Sequence, residues 1–268
     1  MRVWIIFFTV LLSVADAIPL DAQSSGRAQT PASGKGGIGL YSRQPAAPTG
    51  PAPTLADGTP DLSGVWLGNG ANSTDITRDL KPGDSVVMLP WAEAVVKNRK
   101  SKEDPEANCL PTGIPRGSPY PWRIAQTPGI YFIVYEGNIH SWRQIFMDGR
   151  KHPEDPDPSW YGNSIGHWEG KTLVVDTVGF NDKFWFDFAG HPHTEKLHTI
   201  ERYHRPDLGH LEWETTIDDL GAYTKPFTLH GHATLQTGTD LIEYICQENN
   251  KDLEHITGKD PRNTLPKQ

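Results

Sequence analysis

From residue 130 onward the chain alternates apolar and polar positions in short runs, separated by Gly, Pro, Asn and Asp. That period of two is the mark of strands with one buried face. "IYFIVYE" (130–136) and "IHSWRQIFM" (139–147) flank Gly137–Asn138, a tight hairpin turn. "GHWEGKTLVVDTVGF" (166–180) reads as a second hairpin turning at Glu169–Lys171. "LHTIERYHR" (197–205) and "HLEWETTID" (210–218) are joined through "PDLG", and "PFTLHGHATLQ" (226–236) is followed by "DLIEYIC" (240–246). With "LSGVWLG" (62–68) added, about eight to ten short strands succeed one another, linked mostly by hairpins. Such spacing predicts an all-β fold, an antiparallel meander closed into a barrel, with a β-sandwich as the alternative. Helical signals are confined to "PWAEAVVKNRKSK" (90–102), with Pro at its start, Glu93 in its first turn and basic residues at its end.

The N-terminus changes the picture of where such a barrel works. "MRVWIIFFTVLLSVADA" (1–17) has a basic residue, an apolar run too short to span a bilayer comfortably, and an A-x-A ending, which predicts a cleaved secretory signal. Residues 18–60 are rich in Ala, Gly, Pro, Ser and Gln and read as a flexible tether. Within it "GKGGIG" (34–39) lacks the flanking strand and helix of a phosphate-binding loop. A single β domain over 61–262 and a tail over 263–268 follow. No later stretch is long and apolar enough for a membrane span, so no membrane association is expected after signal cleavage.

The net charge is −8, and the only basic cluster, "VKNRKSK" (96–102), runs straight into "EDPE". Nucleic-acid binding, which needs a concentrated basic face, is disfavoured. Cys109 and Cys246 are the only cysteines. In an oxidising compartment a disulfide between them is the default, and no CxxC suggests zinc or thiol redox chemistry.

Candidate chemistry concentrates in "GFNDKFWFDFAGHPHTEKLH" (179–198). Phe180, Phe184, Trp185, Phe186 and Phe188 fall within nine positions, too many for one strand face, so Phe184 and Trp185 are expected at a cavity mouth as substrate-binding groups. The imidazoles beside them admit three readings. His193 and His198 with Glu195 could perform acid–base catalysis, with Asp187 or Glu201 as orienting carboxylates. His191, His193 and His198 could hold a divalent metal, although no cofactor is required by the pattern. The stretch could also be a polar loop. His230 and His232 share one strand face opposite Leu229, Ala233 and Leu235, and are expected to face solvent. In "RQIFMDGRKHPEDPDPSWYG" (143–162), three prolines stiffen a long connection, and Asp148, Arg150, His152, Trp160 and Tyr161 could rim a pocket. Arg143 in its apolar strand would need a buried partner such as Glu136. The nucleophile signatures G-x-S-x-G and S-x-x-K are missing, which disfavours covalent hydrolysis.

Two resemblances bear on these residues. "GVW" (64–66) is similar to the Gly-x-Trp opening of calycin-type barrels, in which the Trp plugs one barrel end. "DGRKHPEDPDPSWYG" (148–162), "GHWEGKTLVVDTVGFND" (166–182) and "GHPHTEKLH" (190–198) resemble a large uncharacterised family of exported bacterial proteins, from "DLSGVW" (61–66) to "EYICQENNKDLEH" (243–255). This implies secretion and a single domain, and no activity. The residues favour an exported enzyme of lyase, isomerase or hydratase type acting on a small, partly aromatic or hydrophobic molecule. A non-enzymatic ligand-binding barrel and a metal-dependent hydrolase are the alternatives.

Overall fold

A nine-stranded sheet cannot close on itself with every neighbour antiparallel. Each antiparallel pairing reverses direction, and nine reversals do not return to the starting one. The computed structural model resolves this with a single parallel junction. It describes residues 46–68, 74–116, 120–137 and 141–248. The strands are β1 Gly64–Gly68, β2 Trp122–Thr127, β3 Ile130–Tyr135, β4 Trp142–Phe146, β5 Asn163–Glu169, β6 Thr172–Val178, β7 His198–His204, β8 His210–Asp218 and β9 Phe227–Gln236. They close in sequence order, with β1 antiparallel to both β2 and β9. Only β4 and β5 run parallel, matched at Ile145↔Ser164 and Phe146↔Ile165.

A parallel neighbour cannot be reached by a hairpin, so the chain needs a long return connection. Residues 147–162 are that return, which explains the proline-rich stretch. Asp148 and Gly149 turn the chain out of β4, Gly149 at φ +77°. Ser159 then ties the returning chain to the segment after β6, donating its amide to Gly179 O at 3.0 Å and accepting from Asn181 N at 2.8 Å.

Alternation decides what faces inward. Along β9, Phe227, Leu229, Gly231 and Ala233 are buried while His230 and His232 are exposed, as the pattern predicts. Gly231 is required where it stands: a Cβ there would fall 2.1 Å from the Trp213 ring packed over it. Trp66, fully buried, donates Nε1–H to Leu62 O at 2.9 Å, and the Arg205 guanidinium lies 4.8 Å from its ring centroid.

Through the apolar interior runs one charged brace. Arg143, 2% exposed, reaches from β4 across two strands to the Glu201 carboxylate of β7, Nη2 to Oε2 2.6 Å. On the way it donates Nε–H to Ser164 Oγ of β5 at 2.9 Å and Nη2–H to Thr177 Oγ1 of β6 at 2.7 Å. Tyr203 donates its hydroxyl to Glu201 Oε1 at 2.7 Å. Burial works against the guanidinium charge, but the Glu201 carboxylate more than offsets it and pushes the Arg143 pKa up. The expected partner Glu136 instead accepts the Ile242 amide at 3.0 Å. It sits at the strand end, out of the arginine's path.

Four further expectations are corrected. The meander is mixed rather than wholly antiparallel. β2 ("WRIAQT") was not marked by the sequence pattern. "DLIEYIC" (240–246) forms no strand, because β1 has already closed β9's edge. Residues 46–60, tether-like in composition, pack on the β7–β8 turn: Leu208 N donates to Gly50 O at 3.0 Å and Pro51 bridges Asp207. The expected signal (1–17), the first part of the tether, the tail (263–268) and the Asn138 turn lie outside the described residues.

The helix, α1 Pro90–Asn98, starts with Pro as expected and is shorter, ending at Asn98 before a separate turn at Ser101–Glu103. Cys109 and Cys246 form the disulfide, Cα atoms 5.7 Å apart across 137 residues of sequence. No helix among the described residues is long and apolar enough to cross a membrane.

Removing one member of a buried ion pair leaves the other charge uncompensated, at a cost of about 3–5 kcal/mol. Arg143→Met is therefore expected to lower stability by about that amount in urea unfolding, with hydrogen exchange accelerated first at Ile145, Phe146, Ser164 and Ile165. The double replacement Arg143→Met/Glu201→Leu should recover part of the loss. A single variant that loses under about 1 kcal/mol, with no recovery in the double, would show the brace to be dispensable.

Candidate functional site

The seam between β4 and β5 is where the wall opens. Backbone pairing joins only the last two residues of β4 to β5, so Trp142, Arg143 and Gln144 have no β5 partner. A cleft of about 480 Å³ occupies this lapse. It is lined by Trp142, Phe146, Trp160 and Tyr161, with Gln144 and Asn163 as polar groups, and it borders the buried residues Arg143 and Ser164. The chain enters β5 through Gly162 at φ +64°, where a Cβ would sit 2.6 Å from Val178 O. Only glycine lets the connection press this close.

Of the expected binding residues, Arg143, Trp160 and Tyr161 meet here. Tyr161 stacks on Tyr135, ring centroids 5.5 Å apart, and its hydroxyl lies 2.7 Å from Ser141 Oγ. Burial pushes its phenol up to about 12, so it stays protonated and able to donate. Arg143 Nη1 is buried without a hydrogen-bond partner. Asp148 and Arg150 are not among the lining residues and are bound to each other through Arg150 Nη2–Asp148 Oδ2 at 2.5 Å. The Arg150 hydrogen bond holds the Asp148 carboxyl below its ordinary range. Arg150 also lies 3.9 Å over the ring of Phe146, a cleft residue.

Phe184 and Trp185 do not line this cleft. Phe180, Phe184 and Phe186 are fully buried, and Trp185 is 4% exposed beneath the Arg99 guanidinium, 4.6 Å away. These rings are core. The segment is irregular, so its side chains are not held to two faces and most of its rings turn inward, while Phe188 stays exposed beside the Arg116 guanidinium.

The imidazoles separate. His193 is buried between Phe184 and Phe186, at 3.8 and 5.0 Å between ring centroids. Its Nδ1–H donates to Thr194 O at 3.2 Å, and its Nε2 is buried without a partner. Burial pushes its pKa down to about 4. Glu195 is exposed, and no hydrogen bond or ion pair joins it to either histidine. His198 faces outward from β7. The described contacts thus do not bring His193, Glu195 and His198 together, nor do they gather His191, His193 and His198 around one point.

Asp187 orients His191, whose Nδ1 lies 2.6 Å from Asp187 Oδ2. With Asp75 these side chains bring three ligand-type atoms within 4.8 Å. However, Asp187 already accepts the amides of Ile76 (2.8 Å), Gly190 (2.9 Å) and His191 (3.1 Å). N–H groups aimed at both oxygens would face a cation, so the carboxylate acts as a staple.

A constellation missed in the sequence forms on the outer wall. His152, from the return connection, directs Nε2 to Asp176 Oδ1 of β6 at 3.0 Å, and His198 directs Nε2 to the same oxygen at 2.9 Å. His152 Nδ1 lies 2.8 Å from Asn163 Oδ1, a cleft residue. The "HP" of the proline-rich stretch was the available signal. Without the parallel crossover nothing in the sequence places it against Asp176.

No family model, curated protein or solved structure matches the chain.

The depressed pKa of His193 has a thermodynamic consequence. Its unfolded-state value near 6.5 lies above the folded value of about 4, so the unfolded chain binds the extra proton between them. Stability is then complete above pH 6.5 and falls as the pH drops towards 4, by on the order of 3 kcal/mol in total. His193→Phe should flatten denaturant midpoints across that window. An unchanged slope would place the titrating group elsewhere.

Proposed function

We propose that the protein is an exported barrel that binds a small, partly aromatic, anionic molecule in the cleft at the β4–β5 seam. The observation that carries this reading is a set of aromatic walls beside a buried guanidinium nitrogen that has no hydrogen-bond partner. Arg143 keeps one guanidinium nitrogen without a hydrogen-bond partner, while Trp142, Trp160 and Tyr161 offer flat apolar faces. Apolar walls with a few fixed polar groups are the usual make-up of a small-molecule site. An aromatic ring would stack on the tryptophans, and an acidic group would complete the guanidinium's hydrogen bonds.

Arg143 is fixed before any ligand arrives. Glu201, Ser164 and Thr177 hold Arg143 in place, so little side-chain freedom is lost on binding. Acid–base catalysis by His193, Glu195 and His198 has no comparable support, since His193 is enclosed by phenylalanines and Glu195 stands apart. Binding without turnover is the better reading. Export agrees with a structural disulfide, which is stable in oxidising compartments.

The test uses anilinonaphthalene sulfonate, an aromatic anion, followed by quenching of tryptophan fluorescence in the oxidised protein. Trp160→Ala should weaken binding by about ten-fold, equivalent to about 1.4 kcal/mol, with the unfolding midpoint little changed. Trp185→Ala, a core substitution away from the cleft, should alter stability but not affinity per folded molecule. If Trp160→Ala binds the probe as well as the parent does, the cleft is not the site.

A further inference from the structure

We infer that His152 is a positioning residue for the seam cleft: it decides which end of the Asn163 amide the cleft presents, so that an anionic ligand binds together with a proton. The inference rests on the cleft being the ligand site.

The first observation is a side chain shared between two places. Asn163 opens β5 and is one of the residues lining the cleft. Its Oδ1 lies 2.8 Å from His152 Nδ1. The other ring nitrogen, Nε2, lies 3.0 Å from Asp176 Oδ1 of β6. The half-buried imidazole is therefore wedged between a group of the cleft and a carboxylate of the wall.

The second observation is a proton count. An ionised carboxylate only accepts, so Nε2 carries a proton towards Asp176. In the charged ring Nδ1 also carries one and donates to Asn163 Oδ1, which leaves the amide NH2 for the cleft. A neutral ring has one N–H, and its Nδ1 is then an acceptor. The amide turns to donate NH2 to it, and Oδ1 is left for the cleft. The two ends of a carboxamide are nearly equal in size and shape, so the turn leaves the packing as it was.

The cleft thus offers a donor or an acceptor according to one proton on a residue behind it. A carboxylate or sulfonate has only acceptors and selects the charged ring. A ligand presenting N–H or O–H selects the neutral one. The charged groups around His152 act on this choice from three sides. Asp176 of β6 attracts the charged ring, and His198 of β7, 2.9 Å from the same oxygen, opposes it when itself charged. On the return connection, Lys151, Glu154 and Asp155 are exposed. Since an anion prefers the protonated form, its affinity rises as the pH falls, by up to about ten-fold per pH unit where one proton is taken up.

Oxidised protein is titrated with anilinonaphthalene sulfonate by calorimetry, in two buffers of different ionisation enthalpy, between pH 5 and 8, where imidazoles change charge. The parent should take up a proton on binding. His152→Gln can still meet Asn163 but holds no extra proton, so its uptake should vanish. His198→Gln should keep it. In the ligand-free protein, nuclear magnetic resonance should show the Asn163 side-chain amide moving with the His152 ring through the same pH range, and standing still in His152→Gln. A merely structural His152 would leave both readouts flat. Binding that depends on Trp160 but takes up no proton, uptake that persists in His152→Gln, or uptake lost in His198→Gln would overturn this inference and leave the cleft standing. Binding indifferent to Trp160 would overturn both.

Discussion

The parity of a closed sheet governs this protein. Nine strands force one neighbouring pair to run in the same direction, and a parallel pair forces a long return in place of a turn. The proline-rich connection between β4 and β5, the short register of two matched pairs and the opening in the wall all descend from that requirement. The candidate sites follow the same line. The cleft occupies the lapse in pairing, and the return connection carries His152 onto the outer wall.

A seam this thin needs support from somewhere other than its backbone. Arg143 supplies it from within, linking β4 to β5, β6 and β7 through Ser164, Thr177 and Glu201. An apolar side chain could fill the same volume but could not join four strands by directed bonds. Buried ion pairs are seldom favourable relative to well-packed hydrophobic residues. This one combines ionic and hydrogen-bonded partners on successive strands, and its position at the weakest junction gives it a mechanical role. The same residue borders the cleft, so the brace and the opening in the wall lie side by side.

The regular parts of the barrel were legible because each strand records its faces in its own sequence. β6, β7, β8 and β9 fall within their predicted runs, and Gly170–Lys171 turns where expected. His230 and His232 lie outward because Leu229 and Ala233 claim the interior. Pairing across the sheet was not legible. Nothing within "RQIF" names Glu201, 58 positions away and three strands distant, as the partner of Arg143. "DLIEYIC" has a strand's composition but meets a sheet with no edge to offer. Phe184 and Trp185 show a different limit: in irregular chain, sequence spacing does not tell inward from outward. The tether-like residues 46–60 are anchored largely by backbone groups, which composition cannot reveal.

The Cys109–Cys246 bond fastens the chain just before β2 to the chain just after β9. Eight strands thus belong to one covalent circle, and β1 alone stands outside it. Yet β1 lies between β2 and β9, the very strands whose flanks the bond joins. It is the last stave of a hooped cask. A cut between β1 and Cys109 would leave the hoop intact and the stave held only by its neighbours, and at that place the molecule could be divided into two parts without scattering the rest.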